Sequence, residues 1–174
     1  GENYVPFEQD VIINGKKAIL EDDYRWLKSN IKSTSLLANV LIKNKANANG
    51  AYEALLLRDG FLTEGSASNV FMVKDGVIKT PKLSNKLLPG ITRKFLVDLI
   101  TLHHLEYNEC DISKHELLDA DEIFCSSSTN PVVPITKVND KVICDTAGSI
   151  SLDLYKHAQD YIKNSYCLLY TSDA

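Results

Sequence analysis

Two Asp-Gly pairs divide the middle of the chain into short runs of apolar and β-branched residues. Asp59-Gly60 and Asp75-Gly76 supply the backbone conformations that tight hairpin turns require. The runs beside them cover residues 54–58, 69–73 and 77–80. Short apolar runs joined by turn residues are typical of neighbouring strands, so this segment predicts an antiparallel β-meander.

Helical patterns lie on both sides of these runs. Residues 36–41 repeat apolar residues at helical spacing, after the candidate N-cap residues 33–35, and Asn49-Gly50 ends the pattern. Pro89-Gly90 introduces a second helix that extends to about residue 104, and Gly148 precedes a last one. We therefore expect three main helices.

Shorter segments complete the prediction. Asn14-Gly15 separates apolar runs at residues 11–13 and 18–20, which is typical of a β-hairpin. Further strands are predicted over residues 106–112, 122–125 and 132–138, with a brief helix over 113–118. The mixture predicts an α+β fold in which helices pack on a mixed or antiparallel sheet.

The composition excludes several classes of function. The chain has 174 residues, 44% hydrophobic and 24% charged, as expected for one globular domain. Its net charge of −4 leaves no basic stripe for nucleic acid. Its apolar runs are far shorter than the roughly 20 residues that cross a membrane. Four cysteines (Cys110, Cys125, Cys144, Cys167) lack metal-ligand spacing, so we expect reduced thiols in a cytoplasmic protein and no metal site.

Three segments contain residue types that could carry chemistry. In residues 61–71, Glu64 lies among glycine and serine, which leave room for a ligand, although a solvated bulge would look the same. Residues 87–93 place Gly90 and Thr92 at a helix start, suited to phosphate or to ordinary capping. The polar residues 126–130 could bind the same anion or form a turn. Lys32, just before the first main helix, is by residue type alone a typical surface charge.

The order of these segments resembles the fold-type IV aminotransferases, which depend on pyridoxal 5'-phosphate (PLP). The resemblance extends over about residues 11–161. It is carried by Arg25-Trp26-Leu27, Ile31-Lys32-Ser33, Gly50-Ala51-Tyr52-Glu53-Ala54 and residues 36–41, 63–71 and 88–93. It is nearest to the D-amino acid aminotransferases. The branched-chain aminotransferases and the aminodeoxychorismate lyases share several of these motifs and stay open as alternatives.

The resemblance implies roles for individual residues. Lys32 would be the catalytic lysine, which forms a Schiff base with PLP and moves the proton at the substrate α-carbon. Glu64 would pair with the pyridine nitrogen of the cofactor. The other cofactor-binding positions would be Arg25, Leu88, Ile91, Thr92, Ser127 and Ser128. Ser66, Ala67 and Ser68 would face the substrate, and Ala67 departs from the serine that many D-amino acid enzymes carry.

The resemblance also implies how the chain is organised. Residues 21–166 would form the large, cofactor-binding domain of the fold, and residues 1–20 would join a small domain absent from this chain. Residues 167–174 fit no pattern that precedes them, so we expect them to be a non-native tail. The whole protein would be a cytoplasmic homodimer. It would transfer an amino group between an amino acid and a 2-oxo acid, with D-alanine and 2-oxoglutarate as the expected pair. The present fragment would be a poor enzyme by itself.

Overall fold

The computed structural model describes residues 9–170, with side chains over residues 10–164. Within this part of the chain, five helices pack on one nine-stranded sheet. The helices are α1 (Gln9–Asn14), α2 (Leu37–Ala48), α3 (Ile91–Leu102), α4 (Lys114–Leu118) and α5 (Ser149–Tyr170). The strands are β1 (Lys16–Asp22), β2 (Glu53–Arg58), β3 (Phe61–Gly65), β4 (Asn69–Lys74), β5 (Val77–Thr80), β6 (Tyr107–Glu109), β7 (Glu122–Ser126), β8 (Val133–Val138) and β9 (Lys141–Val142).

The sheet is mixed. Its strands follow the order β3-β2-β1-β8-β7-β4-β5-β6, and β9 pairs with β8 outside this path. Strand β1 runs parallel to both of its neighbours, and β5 runs parallel to β6. The remaining pairs are antiparallel. The predicted α+β class with a mixed sheet is confirmed.

The predicted hairpin around Asn14-Gly15 is wrong. Residues 11–13 belong to α1, and the Gly15 N–H donates to the carbonyl oxygen of Val11 at 3.1 Å. Gly15 has φ +67°, the left-handed conformation that ends many helices, so the same two residues that suit a hairpin here terminate a helix. The expected domain boundary at residue 20 falls inside β1.

The predicted meander is correct only in its two hairpins. Both Asp-Gly pairs have positive φ at each residue and join β2 to β3 and β4 to β5. However, β4 pairs with β7 instead of β3, and residues 61–65 form a strand that was not among the predicted ones. Thr63 and Glu64 are polar and yet buried, so this strand lacks the apolar pattern by which a buried strand is predicted from sequence.

Several element ends differ from the prediction. Helix α2 begins at Leu37, after Leu36 at the N-cap position, and no side chain caps it. Strand β6 covers three residues of the predicted 106–112. In α4, by contrast, Ser113 and Glu116 form a reciprocal capping box that fixes the start of the helix. Helix α5 continues to Tyr170, into the expected tail, whose last residues 171–174 lie outside the described part.

Apolar side chains cover both faces of the sheet. Alternate residues of β4 point to opposite sides, so Val70 and Met72 join one core, whereas Phe71 and Val73 join the other. The second core contains the stacked rings of Phe71 and Phe124, whose centroids lie 5.0 Å apart, and it is closed by α3 and α5. A smaller core lies beneath α2. No helix among residues 9–170 has both the length and the apolarity needed to cross a membrane.

Candidate functional site

A buried cluster of charged side chains joins the residues that follow β1 to Glu64 on β3. The Arg25 guanidinium donates to Asp23 from Nε (2.9 Å, to Oδ1) and from Nη2 (3.0 Å, to Oδ2). Its Nη1 donates to Oε1 of Glu64 at 2.5 Å. All three residues are less than a tenth exposed. One arginine therefore links two carboxylates that are distant in sequence.

Further contacts hold Asp23 in this cluster. Thr63 Oγ1 donates to Asp23 Oδ2 at 2.9 Å, and Arg58 Nη2 lies 3.0 Å from Asp23 Oδ1. The carbonyl oxygen of Lys86 accepts from Arg25 Nη2 at 3.0 Å. Because Asp23 receives donors from several elements, it serves as the anchor of the cluster.

The pKa values of the two carboxyls in the cluster are shifted in opposite directions. Burial alone would raise the pKa of Asp23, but the hydrogen bond and charge of Arg25, with Thr63 and Arg58, lower it below its ordinary value. Burial raises the pKa of Glu64, and Arg25 and the Leu88 N–H only partly oppose that shift. For Glu64 the effect of burial on the pKa therefore exceeds that of its hydrogen bonds and ion pair, whereas for Asp23 it does not.

The second carboxylate oxygen of Glu64 connects the cluster to the start of α3. Oε2 accepts from the Leu88 N–H at 3.0 Å and from Asn69 Nδ2 at 3.3 Å. Asn69 also donates to the carbonyl oxygen of Leu88 at 2.9 Å. A Cβ atom at Gly90 would lie 2.3 Å from Asn69 Oδ1, so a larger residue there would displace the Asn69 side chain. Asn69 thus ties Glu64 to the turn that begins α3.

The start of α3 has the features of an anion site. Gly90 occupies the N-cap position and no side chain caps the helix, so the first N–H groups are left without intrahelical acceptors. Ile91 is 81% exposed. Ile91, Thr92 and Ser128 line one cleft of about 280 Å³, together with Phe95 and Tyr161. The structure therefore brings three of the four expected phosphate-side residues together.

Ser127, the fourth of these residues, is engaged within its own turn. Its hydroxyl lies 3.2 Å from Thr129 Oγ1, and it accepts from the Asn130 N–H at 3.3 Å. The Ser127 N–H donates to the Asn130 carbonyl oxygen at 3.0 Å. Ser127 is not among the residues that line the cleft with Ser128.

The expected substrate-side residues form a tight turn between β3 and β4. Ser66 is buried, Ser68 is half-buried and Ala67 is exposed. Beneath them lies the buried carboxylate of Glu53, which accepts from Ser68 Oγ at 2.8 Å and also from the Ser66 hydroxyl. Asn39 Nδ2, from α2, donates to the Ser66 carbonyl oxygen at 2.8 Å.

Lys32 lies on the exposed loop that leads from Arg25 to α2. Within the described part of the chain its ammonium makes no hydrogen bond or ion pair, so no direct contact joins it to the Glu64 cluster. The described side chains also contain no group of three His, Cys, Asp or Glu residues that could hold a metal ion.

Sequence reasoning missed three residues of this site. Asp23, Glu53 and Asn69 received no role, although the last two lie within the motifs quoted above. Their signal was weak, because a polar residue next to an apolar run is usually exposed. A carboxylate two residues before Arg25 was the best available indication of the Asp23 contact.

Most of the chain matches one known protein family. The family model for class IV amino-transferases matches residues 12–138. A D-alanine aminotransferase of Bacillus licheniformis is 43% identical over 152 residues, which cover 87% of this chain and 53% of that protein. One from Staphylococcus aureus (strain N315) is 36% identical over 156 residues, 89% of this chain and 55% of that protein. The chain spans about half the length of the curated relatives it matches.

Solved structures agree with this match. A branched-chain amino acid aminotransferase from Escherichia coli superimposes with a TM-score of 0.70 at 26% identity, covering 81% of this chain and 50% of that one. The branched-chain aminotransferase of Thermoproteus uzoniensis gives 0.79 at 27% identity, with 89% and 54% covered. The fold and the sequence together show that the chain belongs to the class IV aminotransferase family.

Proposed function

We propose that the whole protein is a PLP-dependent D-amino acid aminotransferase that transfers the amino group of D-alanine to 2-oxoglutarate. The observation that carries this proposal is the connection from Glu64 through Asn69 to Gly90. It joins a buried carboxylate to an uncapped helix start. A pyridine ring bearing a phosphate needs both of these features, one at each end.

The residues present fit PLP. A carboxylate offers roughly four lone-pair sites, and Glu64 uses three of them on Arg25, Asn69 and Leu88. One site is left for a protonated ring nitrogen. At the other end, the N–H groups that begin α3 suit the phosphate, with the Thr92 and Ser128 hydroxyls in the same cleft. Leu88, half-buried between these two ends, would contact the ring face.

The proposed roles divide among the protein's own side chains. PLP, when bound, supplies the electron sink that makes the substrate α-proton removable. Lys32 attaches the cofactor and moves that proton, and its exposed loop leaves the amine within reach of a ligand. Glu64 keeps the ring nitrogen protonated, while Arg25 holds Glu64 in place. Ser66, Ala67 and Ser68 border the substrate, and Ser127 supports the turn that carries Ser128.

The choice of substrate depends on the relatives. Several D-alanine aminotransferases, including the two above, are 36–43% identical to this chain, and several solved branched-chain aminotransferases are 26–29% identical. Sequence similarity therefore favours D-alanine. A branched-chain L-amino acid aminotransferase is the second candidate, because those enzymes have the same domain fold.

An assay of the whole protein with PLP tests the proposal. D-alanine and 2-oxoglutarate should yield pyruvate and D-glutamate. Faster turnover of L-leucine or L-valine would assign the protein to the branched-chain group. Release of pyruvate from aminodeoxychorismate without an amino acceptor would make it a lyase.

We also propose that the protein is a homodimer. In support of this, Leu37, Val40 and Leu41 on α2 are 50–73% exposed, and Leu27 and Ile31 in the loop before α2 are 64% and 51% exposed. Apolar patches of this kind usually contact another surface. Leu37→Glu should shift the protein towards monomer in sedimentation, whereas Leu102→Glu, at a position 64% exposed on α3, should not. A wild-type monomer, or equal effects of the two changes, would contradict this proposal.

We propose, finally, that the enzyme is cytoplasmic. Cys110, Cys125 and Cys144 are free thiols in the described part of the chain, and thiols of this kind stay reduced there.

A further inference from the structure

Glu53, the first residue of β2, is a buried carboxylate surrounded by donors. It is 1% exposed. Oε1 accepts from the Ala54 N–H at 2.9 Å, from the Ser66 N–H at 3.2 Å and from the Ser66 hydroxyl. Oε2 accepts from Ser68 Oγ at 2.8 Å and from the Ala67 N–H at 3.4 Å. Four of these five donors belong to the turn that follows Glu64 and Gly65.

The turn is built closely around this carboxylate. A Cβ atom at Gly65 would lie 2.3 Å from Ser68 Oγ and 3.1 Å from Glu53 Cδ, so a larger residue there would displace the Ser68 side chain. Lys43 Nζ lies 3.9 Å from Glu53 Oε1 and is the nearby countercharge. Asn39 holds the turn from the other side through the Ser66 carbonyl oxygen.

The hydrogen bonds to Glu53 determine which further hydrogen bonds the Ser66 and Ser68 hydroxyls can make. A hydroxyl has one proton and two lone pairs, and the protons of Ser66 and Ser68 both point to the carboxylate. The half-buried Ser68 hydroxyl can therefore offer a ligand a lone pair but no proton.

We propose that Glu53 is a positioning residue that fixes the turn of residues 65–68 and makes Ser68 an acceptor towards the substrate. An acceptor at this point favours a group that donates, such as the amine of an amino acid, and gives no hydrogen bond to a carboxylate. This inference rests on the proposed function, because it assigns the turn to the substrate side.

The first variant to make is Glu53→Gln in the whole protein. Its amide replaces one acceptor oxygen with a donor, so part of the turn loses its partner. The KM for the amino acid should rise at least about tenfold, the scale of one lost hydrogen bond to a charged group, and the KM for the 2-oxo acid should change much less. A merely structural defect would raise both.

Glu122→Gln provides a matched control. Glu122 is also buried, at 8% exposure, and accepts from the Ile150 N–H (3.1 Å), the Ser151 N–H (2.8 Å) and Ser151 Oγ (2.7 Å). It holds the start of α5, far along the chain from the turn. Its loss should lower stability and leave the ratio of the two KM values unchanged.

Amide hydrogen exchange gives a measurement that does not depend on turnover. In cofactor-free protein, exchange at Ala67 should be at least about tenfold faster in Glu53→Gln than in wild type, because its N–H has Glu53 Oε2 as acceptor. Exchange at Ser66 should change less, because its N–H also donates to the Ala54 carbonyl oxygen at 3.0 Å. Glu122→Gln should leave exchange at these two residues unchanged. Equal exchange in Glu53→Gln and wild type would overturn the positioning role, even if the wild-type protein proved not to be an aminotransferase.

Ser68→Ala covers the case in which Glu53→Gln does not fold. This change removes the proposed acceptor and leaves Glu53 with its backbone donors and Ser66. The KM for the amino acid should again rise, with little change for the 2-oxo acid. Equal increases for both substrates would overturn the acceptor role, whereas a wild-type enzyme with no transaminase activity would instead refute the proposed function.

Discussion

The guanidinium of Arg25 lies between two buried carboxylates and donates to Glu64 at 2.5 Å while it holds Asp23 through two other N–H groups. Asp23 also accepts a hydrogen bond from Thr63 and forms an ion pair with Arg58. The charges of the two arginines and the two carboxylates cancel. Because Asp23 takes most of the donors, Glu64 retains capacity for a further one, which is what a residue opposite a protonated ring nitrogen requires.

Asp23→Asn should strongly destabilise the protein. It would leave Arg25 and Arg58 buried without their main anion, and breaking a buried ion pair costs about 3–5 kcal/mol. The free energy of unfolding, measured in urea at pH 7 and one fixed protein concentration, checks this. Asp98→Asn, which removes an exposed pair with Lys94, should cost well under about 1 kcal/mol.

The effect of Asp23 should depend on pH. The pKa of its carboxyl is lowered by folding, so its contribution to stability is present above the ordinary value of 3.8 and is lost as the pH falls below it. The difference between wild type and Asp23→Asn should therefore shrink between pH 5 and strongly acidic conditions. A difference that stays constant over this range would contradict the assignment.

The sequence predicted those parts of the fold that follow from local patterns. The two Asp-Gly hairpins and the helices begun by Gly90 and Ser113 depend on turn and cap chemistry, which neighbouring residues determine. The pairing of β4 with β7, and the place of β1 between β2 and β8, depend on contacts across the sheet. No local pattern encodes these contacts.

The candidate site divides in the same way. The Glu-Gly and Gly-Ile-Thr motifs drew attention to Glu64 and to the start of α3. Asp23, Glu53 and Asn69 came to light only from the structure, because each is a buried polar residue whose partners come from other strands or loops.

Gly90→Ala should disturb the connection between Glu64 and α3. The new methyl group would overlap with Asn69, and overpacking of this kind costs about 1–3 kcal/mol. Asn69→Ala should remove the overlap, so the double variant should be less destabilised than the sum of the single changes. The free energies of unfolding of all four proteins give this coupling, and strict additivity would argue against the contact.

Glu64→Gln should leave PLP bound but slow the reaction. The amide cannot hold a proton on the ring nitrogen, and loss of one preorganised electrostatic contact lowers kcat by about 10²-fold or more. Steady-state kinetics at near-saturating substrate measure this. Glu21→Gln, which removes the salt bridge from β1 to Lys45 and touches none of these residues, should behave as wild type. An unchanged kcat for Glu64→Gln would refute its role.

The most direct test is to locate the lysine that carries PLP. Lys32 is exposed, and its ammonium makes no hydrogen bond or ion pair with the described residues, whereas Lys43 donates to the Tyr52 carbonyl oxygen and lies over its ring. The whole protein should absorb in the near-violet with PLP, and Lys32→Ala should not. Borohydride reduction and peptide mapping should then place the label on Lys32. A label on Lys28 or Lys43 would contradict the account.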